Sequence, residues 1–403
     1  MRTEHEPART GGGSGDQAAG AGRGGRRAVL TFVGVAAVLF VVSGIASIWL
    51  PDPGTQVIPP FRGWRWLQGW AQWDSGWYSA IAQGGYGYIP GRQSTIAFFP
   101  AYPLLMRAVA LMVGNTYVAG IVVTLASGAA AVRLFFGWLS TRMTPPHAWA
   151  ALSLMLLYPY AFFLYGAVYP TAFFVMTLLG AFVLLEHDHP WLAGMVGALA
   201  TAARPTGVVL VVALAVRAVE RRRELDGEPA GPGRNRPIWW DAGVLLSGLG
   251  VAAFCLYQWR RFGDPFAFVT VQEAWGQESG VRTWLKLRFF EDLATLPDRK
   301  LLASLSYLAH PALTVGALAL VPKVFRRFGY GYGTYTLLII LLPALSTENF
   351  FGMGRYLLAA FPCFAVAGEL LAERPRLAKV VYPVTALALV SLTVAYSQGH
   401  YLS

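Results

Sequence analysis

The stretch QWDSGWYSAIAQGGYGY, residues 72 to 88, sets one carboxylate, Asp74, among tryptophans and tyrosines shortly after the first long apolar run of the chain. A carboxylate held by bulky aromatics at a membrane boundary is placed to take a proton from a hydroxyl group, which is general-base chemistry. On a helix turning about 100° per residue, Trp66, Trp70, Trp73, Trp77 and Ile81 share one arc suited to the headgroup plane, with Asp74 at its edge. The competing account is an interfacial aromatic belt beside a merely solvated aspartate. Three neighbours favour the chemical reading. GGYGY at 84 to 88 ends the helix in a flexible turn, IAFFPAYPLL at 96 to 105 opens a second segment with two prolines, and few other acids lie on the same expected side.

The elements that must position this carboxylate are membrane helices. Of the 403 residues, 55% are hydrophobic and 13% charged, too apolar for one water-soluble domain. The apolar residues fall in blocks of roughly 15 to 24, the length that crosses a hydrocarbon core of about 30 Å, where all backbone polar groups must be paired internally. The predicted fold class is an all-α polytopic membrane protein. The net charge of +11 is carried by arginines clustered between apolar blocks, which points to orientation rather than nucleic acid. Residues 1–27, rich in Gly, Ala and Arg, read as a disordered cytoplasmic tail ending in Arg23, Arg26 and Arg27. The run from Ala28 to Leu50 is too long for a signal-peptide core and has no small-residue cleavage site, so it reads as a permanent helix with its amino end cytoplasmic. Cys255 and Cys363 both lie in apolar blocks and report burial, not a redox compartment.

Eleven spanning segments are predicted, at 28–50, 116–139, 147–164, 168–186, 191–204, 205–219, 239–258, 301–321, 331–346, 355–372 and 378–396. They form one transmembrane domain over 28–396, followed by an external tail at 397–403. The basic stretches 217–236, 323–328 and 373–379 then fall on the cytoplasmic side. A competing count makes 96–113 a span and 191–219 one helix. ARPTG at 203–207, a charge and a helix breaker, argues for the division. Two large segments, 51–115 and 259–300, and the short STENFFGMGRY at 346–356 face outside, and function is expected where these three meet. HDH at 187–189 reads as a polar loop rather than a metal site, and GYGYG at 329–333 as a turn rather than a phosphate loop.

The motifs WDSGWYSAIAQGGY, AFFPAYPLL, ARPTG, FGDPFAFVTVQEAWG at 262–276 and GRYLLAAFP at 354–362, in this order, resemble the PIG-V type of mannosyltransferase (GPI mannosyltransferase 2-like, prokaryotic type), a family of GT-C architecture. The resemblance spans roughly 28–372. It implies an inverting enzyme that takes mannose from polyprenyl-phosphate mannose on the non-cytoplasmic face, here of a bacterial plasma membrane, and delivers it to a glycan or glycolipid acceptor among membrane lipids. GT-C enzymes carry their essential acid in the first external loop, the place that Asp74 matches. The leaving phosphate has a second pKa of about 6 and departs readily if its charge is stabilised. Arg204 and Arg355 are the candidate phosphate holders, since a guanidinium grips two phosphate oxygens and stays charged near lipid; the alternative for each is snorkelling to the interface.

Candidate substrate-binding residues are Trp73, Trp77 and Tyr78 beside the base, Gln272 and Trp275 as a sugar shelf, and Tyr169, Glu348 and Tyr356. The chain departs from the resemblance at Tyr169-Pro170-Thr171-Ala172, where many relatives have Tyr-x-Glu-Ser. With one clear external acid, no cofactor is expected, and a divalent metal is left open. Two other classes fit many helices with intramembrane charges. One is a transporter, which should carry inverted repeats that are not evident here. The other is a catalytically silent subunit of a glycan assembly complex, which would tolerate loss of Asp74.

Overall fold

The computed structural model describes residues 13–50, 65–226, 237–276, 280–294 and 301–402, and every regular element among them is helical. The all-α membrane class holds. Among the described residues, five helical runs, Gly22–Trp49, Thr116–Ser140, Trp239–Phe262, Tyr307–Ser346 and Pro375–Ser397, are long and apolar enough to cross a membrane, the fourth of them kinked within its length. The pair Met353–Ala359 and Phe361–Ala372, bent by 86°, makes a sixth if taken as one broken span. Parts of the expected tail (1–12), outer loops (51–64, 277–279, 295–300) and basic loop (227–236) lie outside the described residues.

Several predicted segments are shorter or differently joined. The helix expected at 147–164 stops at Leu156, only the single turn Phe162–Tyr165 follows within that segment, and the next long helix starts at Thr171 behind Pro170. Thr171–Glu186 and Pro190–Thr201 are only 16 and 12 residues long, about 24 and 18 Å at 1.5 Å per residue. Thr171–Glu186 is sheathed by neighbouring helices and buried along most of its length, so its backbone needs no full lipid crossing of its own. ARPTG does break the chain as expected: Arg204 is extended, Pro205 opens a short turn, and Val208–Asp226 follows as a separate helix. The stretch weighed as a span at 96–113 contains a 13-residue helix, Ala101–Val113, with Leu111 and Met112 each 86% exposed. The expected disordered tail is helical from Gly13, continuous with the apolar run to Trp49. Propagating an existing helix is far cheaper than nucleating one.

The run Leu301–Ser346 is two helices, not one. Gly329 leaves the helical region (φ 88°, ψ −177°), a conformation natural to glycine. A straight helix of this length would measure about 69 Å. Instead, residues on opposite sides of Gly329 meet, for Asp292 Oδ2 accepts from both Tyr307 OH at 3.0 Å and Asn349 Nδ2 at 3.5 Å. The turn expected over GYGYG is thus a break at its first residue, Gly329, with 330–333 already helical, and the two limbs correspond to the separate segments read at 301–321 and 331–346.

Thr116–Ser140 links the two ends of the molecule. Asn115 caps it, its Oδ1 accepting from Tyr117 N and Val118 N at 2.9 and 3.2 Å, which satisfies two of the orphan donors of a helix start. Thr116 touches Ser79 on the Asp74 helix, while Arg142 lies past the far end. At that far end a buried charge network ties three helices together. Arg217, 8% exposed, pairs with Glu186 at 2.9 Å, Glu220 at 3.1 Å and Glu224 at 2.7 Å. Glu186 also receives Tyr332 OH at 2.9 Å and Arg142 at 3.3 Å, and Glu220 accepts from the Tyr330 and Gly331 amides just past the turn. Arg217→Met takes the cation from Glu186 and Glu220, whose side chains are 17% and 18% exposed, and leaves Glu186 with Arg142. Removing one partner of a fully buried pair costs about 3 kcal/mol or more, and Arg142 and the exposed Glu224 make the cost smaller here. The expected outcome is a clearly lower thermal-unfolding midpoint in detergent, with Arg217→Lys losing less. An unchanged midpoint for Arg217→Met would show that the network contributes nothing.

Candidate active site

Asp74 stands at the amino end of the helix Ser75–Gly84, yet its side chain makes no cap bond to that helix. The carboxylate instead faces across the protein, and Oδ2 accepts from Arg355 Nη1 at 3.4 Å. The preceding residue, Trp73, is in the left-handed region with φ 54°, which for a bulky side chain costs on the order of 1–3 kcal/mol and persists only where surroundings impose it. The surroundings are visible. Val168 N donates to Trp70 O at 3.0 Å, Tyr396 OH to Gln72 O at 3.5 Å, and Asp74 N to Tyr169 OH at 3.2 Å. Trp73 itself lies against Tyr401, with ring centroids 4.6 Å apart.

This kink overturns the single amphipathic stripe. Arg65–Trp70 is a separate 3-10 turn, Trp70 is fully buried while Trp66 and Trp73 are 45% and 41% exposed, and so the tryptophans do not share a face. The expected external tail at 397–403 is not loose either: Leu402 is buried, and Tyr401 lies between Trp73 and Phe351.

Arg355 is 8% exposed, and its guanidinium sits over the rings of Tyr169 at 4.9 Å and Tyr356 at 5.2 Å. Its Nε is buried with no hydrogen-bond partner among the described residues. Arg204, 6% exposed, lies 5.1 Å from the same Tyr356 ring and donates from Nη2 to Thr171 Oγ1 at 3.2 Å. Two buried guanidiniums therefore flank one phenol ring beside one carboxylate, a burial too deep for the snorkelling alternative. Thr171 is the position where the resemblance expects an acid, so Arg204 lacks that counter-charge.

The backbone carrying Arg355 is held tightly. Gly354 N donates to His310 Nδ1 at 3.0 Å, and Tyr158 OH donates to Gly354 O at 3.0 Å. A Cβ on Gly354 would run into the Tyr160 ring. The accepting Nδ1 identifies the Nε2-protonated tautomer of His310, whose Nε2 faces Tyr160 OH at 3.5 Å. Just upstream, Phe350 has φ 61°, a second strained residue at the site's edge.

The structure thus brings Asp74, Tyr169, Arg204, Arg355 and Tyr356 together. Tyr78 joins them through its ring contact with Tyr169 at 6.1 Å. Burial first, and the Asp74 charge second, push the Tyr78 phenol well above its usual range, which keeps it a neutral hydroxyl. Trp77 and Trp275 meet at 5.8 Å on the outer side of the helix. Gln272 does not join: its amide donates to Phe268 O one turn back. Glu348 lines an outer cavity with Trp275. Sequence reasoning met Thr171 only as a departure from the resemblance, not as a partner of Arg204, and missed His310, Tyr158, Tyr396 and Tyr401. A lone histidine inside an apolar run was the one available signal, for His310; the others look like ordinary core residues until their partners are known.

No protein-family model and no curated protein sequence matches this chain. Among solved structures it is similar to an oligosaccharyltransferase of Archaeoglobus fulgidus. The apo form overlays at a TM-score of 0.46 with 11% identity, over 92% of this chain and 56% of that one. The form tethered to an acceptor peptide overlays at 0.45 with 12% identity, over 92% and 55%. The form with an inhibitory peptide and a dolichol-phosphate, named AglB, gives 0.43 with 12% identity, over 92% and 56%. The chain spans little more than half the length of these proteins. At this degree of overlap, function rests on the geometry of the site itself.

Beside the site, Lys286 pins the outer segment 280–294 to the loop before Arg355. It is 8% exposed, donates to Thr347 O and lies 5.1 Å from the Phe350 ring. Burial lowers its pKa to about 8, against a smaller opposing effect of Glu348. The unfolded lysine has its ordinary value near 10.4, so between those limits the unfolded chain holds a proton that the folded one does not. Stability rises with pH through that window and the cost of burying the charge is fully present below it. The expected outcome is that the wild-type thermal midpoint gains on that of Lys286→Met as pH rises from about 7.5 to about 9.5. A constant difference, or one moving the other way, would refute this burial.

Proposed function

We propose that this chain is an inverting glycosyltransferase of the GT-C kind, moving a mannosyl residue from polyprenyl-phosphate mannose to a lipid-linked or cell-envelope glycan on the non-cytoplasmic face of a bacterial plasma membrane. The observation that carries the reading is the pair of buried guanidiniums, Arg204 and Arg355, on the Tyr356 ring beside Asp74. The motif resemblance supplies the sugar and the side of the membrane.

Charge accounting supports phosphate chemistry. Before reaction the site holds two positive charges and one negative, a net of +1, which suits the single charge of a phosphodiester donor. The acceptor hydroxyl attacks the anomeric carbon and passes its proton to Asp74. The bond from that carbon to the phosphate oxygen breaks, and the electron pair leaves with a phosphate monoester. Asp74 is then neutral and the two arginines face up to two negative charges on the leaving group. The total is zero at both stages, but the negative charge moves from Asp74 onto the phosphate that the two guanidiniums are proposed to hold. Their attraction to it therefore grows as the bond breaks, which is the direction that lowers a barrier.

In this mechanism the Asp74–Arg355 contact belongs to the resting site. At 3.4 Å it is loose for a charge-assisted bond, so Arg355 can turn its remaining donors to phosphate while Asp74 receives the acceptor hydroxyl. Tyr169 holds the Asp74 backbone and flanks Arg355, and is a positioning residue.

The test is transfer of radiolabelled sugar by the purified full-length protein from polyprenyl-phosphate mannose, polyprenyl-phosphate glucose and a nucleotide-linked mannose into membrane acceptors. Incorporation from the first alone is expected. Label from the glucose donor would change the sugar, and label from the nucleotide donor alone would overturn the lipid-phosphate reading. No incorporation from any donor, with folded protein and competent membranes, favours the silent-subunit alternative.

A further inference from the structure

A cavity of about 810 Å³ lies beside the site, walled by Trp275, by the outer segment 280–292 and by Glu348 and Asn349. Its volume is in the range of small-ligand pockets. The walls are stitched together: Lys286 donates to Thr347 O, Asp292 accepts from Asn349, and Phe289 lies against Phe350 with centroids 5.6 Å apart. The Trp275 edge rests on Trp77, three residues from the base, and on Phe98 at 5.9 Å. The cavity thus joins the helix that begins beside Asp74 to the loop that leads into Arg355.

Its chemistry selects a ligand class. Apart from Val281, the side chains are polar or charged around one indole, which offers no continuous apolar wall for a lipid chain. The two cations are already partnered, Arg282 with Glu291 at 2.6 Å and Arg288 with Asp292 at 3.8 Å, and Glu348 adds a third carboxylate. The wall carries two positive and three negative side chains, so a polyanion gains nothing there. Carboxylates and an amide accept and donate to hydroxyl groups, while the indole offers a flat apolar face to a sugar ring.

We propose that this cavity binds the acceptor's glycan, an uncharged polyhydroxylated chain, and presents its terminal hydroxyl to Asp74. The proposal rests on the transferase reading above for the word acceptor, but the binding itself does not need the donor.

The test uses full-length protein in nanodiscs, with neutral mannotriose as the probe in saturation-transfer NMR and tri-galacturonate as the anionic competitor. Saturable mannotriose binding is expected. It should be weakened about tenfold by Trp275→Ala and severalfold by Glu291→Gln. Trp275 also packs on Trp77, so its variant tests fold and site together. Glu291 is half exposed and its surface pair contributes little to folding, so Glu291→Gln isolates the ligand contact. No saturable binding by the wild type, equal affinity in both wall variants, or tighter binding of tri-galacturonate would overturn the proposal. Failure of the transferase reading looks different: the wild type then transfers nothing from any donor yet still binds mannotriose with the same variant pattern.

Discussion

Asp74→Asn is expected to reduce transfer by about 10²- to 10⁴-fold, the range that a positioned general base contributes. The substitution is isosteric, and the Asp74 contacts that hold the kink use its backbone: Asp74 N donates to Tyr169 OH, and Trp73 is fixed by Tyr401. The fold should therefore survive. What disappears is the atom that receives the acceptor's proton in the proposed mechanism. The negative charge also goes, so the site's net charge rises from +1 to +2, and donor binding should hold or tighten. The signature is a loss in kcat without a rise in donor KM, read from steady-state transfer at matched protein concentration. Retention of activity within tenfold would remove Asp74 from the role of base, even if the enzyme itself were confirmed.

Arg355→Ala is expected to cost about 10²- to 10³-fold, comparable to removing one preorganised donor from a developing oxyanion. It removes a cation that three aromatic rings and Asp74 surround. Arg355→Lys should restore only a minor part. An ammonium is a point charge that cannot lie flat between Tyr169 and Tyr356 and grip two phosphate oxygens at once. Here the donor KM should rise together with the fall in kcat, the opposite pattern to Asp74→Asn. Full rescue by lysine would mean that charge alone matters at this position. A loss confined to acceptor KM would move Arg355 out of the phosphate site.

Much of this was legible in the chain itself, for definite reasons. The helix read at 116–139 is Thr116–Ser140, because a long apolar run bounded by Asn115 and a polar turn leaves few alternatives. Arg204 next to Pro205 stood out because a charge and a helix breaker inside an apolar block are both costly in lipid, and the helix does break there. The stripe of tryptophans misled because helical periodicity assumes an unbroken helix. The left-handed Trp73 violates that assumption, and only the contacts around it impose the violation. The count of full crossings misled for a related reason: hydropathy measures apolarity, but Thr171–Glu186 is apolar because other helices enclose it.

The sequence by itself determined the class of molecule, since 55% hydrophobic residues in spanning-length blocks fold stably only as helices in a bilayer. It also singled out Asp74, Arg204 and Arg355, whose placement near lipid is too costly to be casual. Only the tertiary structure decided that these three come together from widely separated segments, the two arginines on the Tyr356 ring and Asp74 against Arg355. Only it showed that His310 and Tyr158 hold the peptide of Gly354 that aims Arg355. The physical reason is that charge and apolarity are properties of single residues and can be read along a chain. Convergence depends on how buried helices pack, and the contacts that set it lie far apart in sequence.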